Sequence, residues 1–102
     1  MVKIFDKETL AQVAPKLAEL SKDVLFNDIW ARKVLSLRDR SLITLSALVA
    51  MGQLQQLPWH LSFARQNGVS DEEIIEIFTH LAFYAGWPAA VSALGCLSEE
   101  NN

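Results

Sequence analysis

At 102 residues the chain has the length of one ordinary domain and not of two, so residues 1–102 are expected to share a single hydrophobic core. A hydrophobic fraction of 51% is high for so small a chain, whose surface-to-volume ratio calls for more polar residues, and it implies that other subunits cover part of the apolar surface. The net charge of −3 argues against nucleic acid as the main partner, and the lone Cys96 excludes both an internal disulfide framework and zinc-finger spacing, leaving no metal site to expect.

The first residues, Met1 to Asp6, lack the apolar core and small-residue cleavage site of a secretory signal, so a cytoplasmic protein is expected. From there on apolar residues recur at three- and four-residue spacing, without the β-branched alternation of hairpins, which predicts an all-α domain. The first predicted helix, Lys7 to Val24, sets Leu10, Val13, Leu17 and Leu20 on one stripe, with Pro15 as a kink or a shifted start. A turn carrying Phe26, Ile29 and Trp30 follows. Ser36 is a good N-cap for a second helix, Leu37 to Met51, that stops at Gly52 and reads as the central, most buried element because it is apolar almost all round after Ser41. Its apolar run, Leu42 to Met51, spans ten residues and includes Thr44 and Ser46, half of what a membrane span requires.

A third helix is predicted from Leu54 or Pro58 to Asn67, with Gly68 ending it and His60 near its start. Ser70-Asp71-Glu72-Glu73 then forms a capping box in which Ser70 and Glu73 bond each other's backbone amides, opening a helix to about Ala85. Gly86 ends that helix, Pro88 suits the first turn of the last, and Ala89 to Leu97 continue it with small residues. Glu99 to Asn102 are expected to fray.

Little in this chain looks like chemistry apart from His60, whose imidazole exchanges protons near neutrality. Among Leu57, Trp59, Leu61 and Phe63 it reads either as an acid/base group or as a buried polar residue bonded to a carbonyl. His80 reads as a packing or subunit contact or as a second polar group of the site, and Tyr84 as a ring that packs or a phenol that meets a substrate. Arg38 and Arg40 can each hold a carboxylate through two parallel hydrogen bonds, or make ordinary surface ion pairs; two apart on a helix, they point in different directions. Trp30, Trp59 and Trp87 read as core or interface anchors.

Trp30-Ala31-Arg32, Leu35 to Leu42, His60-Leu61, Asn67-Gly68-Val69-Ser70 with Glu73, and His80 to Ala90 follow one another in a pattern that resembles the carboxymuconolactone decarboxylase family. The resemblance covers about two thirds of the chain, and the tyrosine-glycine-proline segment is its most specific part. It implies the all-helical alkylhydroperoxidase D-like fold, of about five to six helices, assembled as a homotrimer or homohexamer. It also implies decarboxylation, without a cofactor, of a small carboxylated lactone such as 4-carboxymuconolactone, in aromatic-compound catabolism. By the same resemblance His60 transfers the proton, Arg38 or Arg40 binds the anionic acid, and Tyr84 or His80 adds a polar contact.

Thiol peroxidases of the same superfamily carry Cys-x-x-Cys-x-x-x-His; with His60 as that histidine, Gln53 and Gln56 stand where the cysteines would be and Ser41 near the motif's glutamate. Thiol chemistry is then lost, and Cys96 on another helix is no substitute. Relatives often carry a glutamate in the run that here reads Gln53-Leu54-Gln55-Gln56, which an amide cannot replace as a titrating group. An oligomeric scaffold or acid-binding protein without catalysis is therefore the alternative reading.

Overall fold

The computed structural model describes residues 6–100, and the described chain falls into two compact units, one ending at Leu35 and one starting at Ser36. All its regular elements are helices. In the first unit Asp6 caps α1 (Lys7–Val13) by accepting from the Thr9 amide at 2.7 Å. Proline restricts the residue before it to non-helical backbone, so Ala14 leaves the helix at φ −135° and Pro15 opens α2 (Pro15–Leu20) as its first residue. The single helix expected from Lys7 to Val24 is therefore two.

No glycine or proline interrupts residues 16–51, and Phe26 and Ile29 lie in a π-helical segment, α3 (Ser21–Ile29), closed by the Trp30 amide on the Leu25 carbonyl at 2.9 Å; the expected turn follows it, at Trp30 and Ala31, and does not begin at Phe26. No residue of α1, α2 or α3 is buried, and of the expected apolar stripe only Leu10 is half-buried, Val13 being 64% and Leu17 56% exposed.

The second unit contains the core. Ser36 caps α4 (Leu37–Ala50) by accepting from the Asp39 amide at 3.0 Å, and Gly52, at φ +71°, takes the left-handed backbone that turns the chain away after it. Then come α5 (Leu57–Gln66), α6 (Asp71–Leu81) and α7 (Trp87–Glu100). α4 packs on α5, α6 and α7, and α7 packs on α5 and α6, with Leu45, Leu57, Leu61, Ile74 and Phe78 fully buried between them. α4 is thus central, as expected, but it is not buried all round. Ser41, Leu45 and Val49, four apart, face the core, while Ile43 on the opposite side is 55% exposed.

The Ser70–Glu73 capping box is present in full. Its helix ends at Leu81 rather than near Ala85: the Tyr84 and Ala85 amides both bond back to the Leu81 carbonyl in a tight turn. Gly86, at φ +110°, then redirects the chain into α7, where Pro88 occupies a first-turn position that needs no donor. Glu99 and Glu100 belong to α7, whereas Asn101 and Asn102 lie outside the described residues. Among those residues no helix is long and apolar enough to cross a membrane.

Candidate functional site

His60 sits in the first turn of α5, half-buried, with Trp59 meeting it edge-on at 4.8 Å between ring centroids. Its Nδ1 is buried and has no hydrogen-bond partner. The reading of His60 as a core histidine bonded to a carbonyl through that nitrogen therefore does not hold. Burial makes the charged ring costly, so its pKa lies below the usual 6.5. At neutral pH the ring is an uncharged imidazole with an open hydrogen-bonding valence.

Asn67, at the end of α5, donates its side-chain amide to Ser41 Oγ near the start of α4 at 2.9 Å, and because residues 51–56 join the other ends of these two packed helices, they run antiparallel with Asn67 level with Ser41. His60 precedes Asn67 by seven residues, roughly 10 Å along the axis at about 1.5 Å per residue. Arg40 and Arg38 lie on the other side of Ser41, so Arg38 and His60 are roughly 15 Å apart along the axis and Arg40 and His60 roughly 12 Å. Helical side chains lean toward the N-terminus of their own helix, which carries the guanidiniums and the imidazole further apart.

α6 starts at the arginine end. Arg38 Nη2 donates to Glu73 Oε2, while Glu73 Oε1 accepts from the Ser70 amide at 3.0 Å. That amide and the nearby Arg38 charge hold the Glu73 carboxyl below the usual carboxylate range. From Glu73, α6 runs along α4 and carries His80 roughly 10 Å onward, toward the end that holds His60. There His80 and Tyr84 stack at 4.9 Å, both exposed.

Of the expected site residues, His60, His80 and Tyr84 thus share one end of the unit, and Arg38 and Arg40 share the other. Gln53, where a thiol peroxidase would have a cysteine, donates its side-chain amide to the Met51 carbonyl at 3.5 Å, and Ser41 is buried under Asn67. Among the described residues, no group of three or more His, Cys, Asp or Glu side chains is placed to hold a metal ion. Two contributions escaped the sequence reading. Glu73 was legible as a cap, but nothing local marks it as the partner of an arginine 35 residues away; the Asn67–Ser41 bond, across 26 residues, left no sequence signal either.

Residues 15–99 match the carboxymuconolactone decarboxylase family. The chain belongs to that family. A 4-carboxymuconolactone decarboxylase of Acinetobacter baylyi is 35% identical over 74 residues, which is 72% of this chain and 55% of that protein. A nitrosuccinic acid decarboxylase of Metarhizium robertsii is 33% identical over 76 residues, 74% of this chain and 53% of that protein. The chain therefore spans about half the length of these curated relatives. In this family member His60, His80, Tyr84, Arg38 and Arg40 all fall in the Ser36–Asn102 unit, inside the matched region.

Proposed function

We propose that the protein is a cofactor-free decarboxylase of a small carboxylated lactone of the 4-carboxymuconolactone type, a single family domain over residues 1–102 working in the cytoplasm, with His60 as the proton-transferring group. The observation that carries this reading is the half-buried His60 ring with its unpartnered Nδ1. Names of the two relatives support the reaction class. Both named substrates also share a chemical property: the conjugated lactone of one and the nitro group of the other can each take up the electron pair that departing carbon dioxide leaves behind.

The balance of the reaction is simple. A carboxylate leaves as carbon dioxide, its bonding pair moves into the conjugated lactone as an enolate, and one proton is taken up at carbon. His60 supplies that proton from its imidazolium, the minor species at neutral pH, and is reprotonated from solvent. Because burial disfavours the charged ring, the imidazolium is a stronger acid than usual, which favours delivery to carbon. Tyr84 and His80 give polar contacts to the lactone oxygen, where charge develops, and Arg38 or Arg40 holds a carboxylate. Self-association, as a trimer or hexamer, covers apolar side chains such as Phe83 and Trp87, which are 77% and 65% exposed in the single chain.

The test is turnover of 4-carboxymuconolactone, followed by ultraviolet absorbance and carbon dioxide release. The wild-type chain is expected to turn it over and His60→Ala to lose that activity while keeping its helical content. Wild-type-like turnover by His60→Ala would remove His60 from the mechanism.

A further inference from the structure

The Ser36–Asn102 unit has three cationic side chains of the Lys/Arg type, Arg38, Arg40 and Arg65. Arg38 and Arg40 belong to the end of α4 remote from His60. Arg65 is tied to that same end, because its Nε donates to Asp71 Oδ1 at 2.7 Å in the first turn of α6. The end that holds His60 has no Lys or Arg of its own unit, the side chains that most strongly anchor a carboxylate.

That same end is apolar and bare. Phe83 is 77%, Tyr84 80%, Trp87 65% and Trp59 56% exposed, and Phe83 and Trp87 meet edge-on at 6.4 Å. At about 150–250 Å² per aromatic side chain, these four leave on the order of 500 Å² uncovered. Such an area is at the upper end of the largest patch on an ordinary monomer, about 300–600 Å², and is well over half of the roughly 800 Å² that each partner contributes to a stable interface. The opposite end offers an apolar counterpart in Leu37, 49% exposed beside Arg38. One end therefore has an acid/base ring without a Lys or Arg, and the other has guanidiniums without an acid/base ring.

We propose that copies of this chain meet head to tail, the aromatic His60 end of one against the arginine end of the next, so that each site takes its imidazole from one copy and its guanidinium, Arg38 or Arg40, from another. This rests on the roles given above to His60 and the arginines. Glu73 engages one Nη of Arg38, and the other N–H groups of that fork remain able to meet a carboxylate. A head-to-tail contact is heterologous, and repeating it by rotation closes a ring.

Mixed assemblies test the proposal. His60→Ala chains and Arg38→Ala, Arg40→Ala chains, each with little activity, are dissociated, mixed in equal amounts and reassembled. For random mixing around heterologous contacts, about a quarter of the wild-type rate returns, because that share of sites draws an intact imidazole and an intact guanidinium from different copies. No recovery would place both groups in one chain and overturn the proposal. Full activity of the double arginine variant would overturn it too, leaving His60 in place, whereas full activity of His60→Ala would defeat the mechanism instead.

A readout independent of turnover uses the Cys96→Ser background. Trp59→Cys chains mixed with Asp39→Cys chains and treated with a short bis-maleimide should give a dimer-mass band that neither chain gives alone. Absence of that band, or the same band from either chain alone, would overturn the head-to-tail arrangement.

Discussion

The two ends of the Ser36–Asn102 unit differ in whether polar side chains tie the helices to one another. At the arginine end pairings run between helices, Arg38 with Glu73, Arg65 with Asp71 and Asn67 with Ser41, although one buried nitrogen of each of the Arg40 and Arg65 guanidiniums makes no hydrogen bond. At the other end Nδ1 of His60 is buried without a partner, and His80 and Tyr84 stack in the open. A buried polar atom left unpaired destabilises the fold, and a histidine with an open valence is what proton transfer requires. The difference is that one end carries side-chain bonds between helices, while at the other His60, His80 and Tyr84 make none.

The largest test of that division is His60→Ala. Turnover should fall by about 100- to 10,000-fold, the usual contribution of a positioned acid or base, while the melting temperature stays level or rises because a buried unpaired nitrogen is gone. A clear fall in melting temperature would show His60 to be a stability residue after all. Next in size is Asn67→Ala at the partnered end. Ser41 is only 3% exposed, so losing its donor should cost about 1–3 kcal/mol in denaturant unfolding. A neutral result would mean that the Asn67–Ser41 bond does not hold α4 and α5 together.

Ser70→Ala should cost about 1 kcal/mol, the ordinary loss for an N-cap hydroxyl. Glu73→Gln should cost less than that, since glutamine still completes the capping box and only the pairing with Arg38 weakens. If Glu73→Gln proves the more damaging of the two, the ion pair outweighs the cap.

The smallest effect separates the ends by pH. Below 6.5 the unfolded chain protonates its histidine more readily than the folded chain does at His60, so stability declines as the pH falls from there toward the lowered His60 value and then levels. Glu73 acts in a lower window, since its lowered pKa contributes stability that is present above 4.5 and lost as the pH falls through its folded value. Thermal melts across pH should show both declines, with His60→Ala removing the upper one and Glu73→Gln the lower. A single decline unaffected by His60→Ala would show that the ring is not buried from protonation.

Much of the fold was legible because its boundaries are local chemistry. Ser36, Ser70, Gly52 and Pro88 act through their own backbone or that of residues three away, and each does what its type predicts. Where local signals were missing, the reading went astray. With no glycine or proline in residues 16–51, the turn falls at Trp30 and Ala31 and not at Phe26, and α6 stops five residues before Gly86. The site was legible as residue types and not as an arrangement: His60, His80, Tyr84, Arg38 and Arg40 could be named, but not sorted into two ends.

Residue by residue, then, the sequence alone determined the helical class, the caps that start α4 and α6, and membership of the carboxymuconolactone decarboxylase family, because these follow from periodicity, short-range hydrogen bonds and motif order. Only the tertiary structure decided that Glu73 holds Arg38, that Asn67 reaches Ser41, and that the imidazole and the guanidiniums are placed roughly 12–15 Å apart along the helix axes. The physical reason is that such placements depend on which helix packs antiparallel to which and at what register. Those relations come from burying Leu45, Leu61 and Phe78 together, and they leave no mark at the positions they bring together.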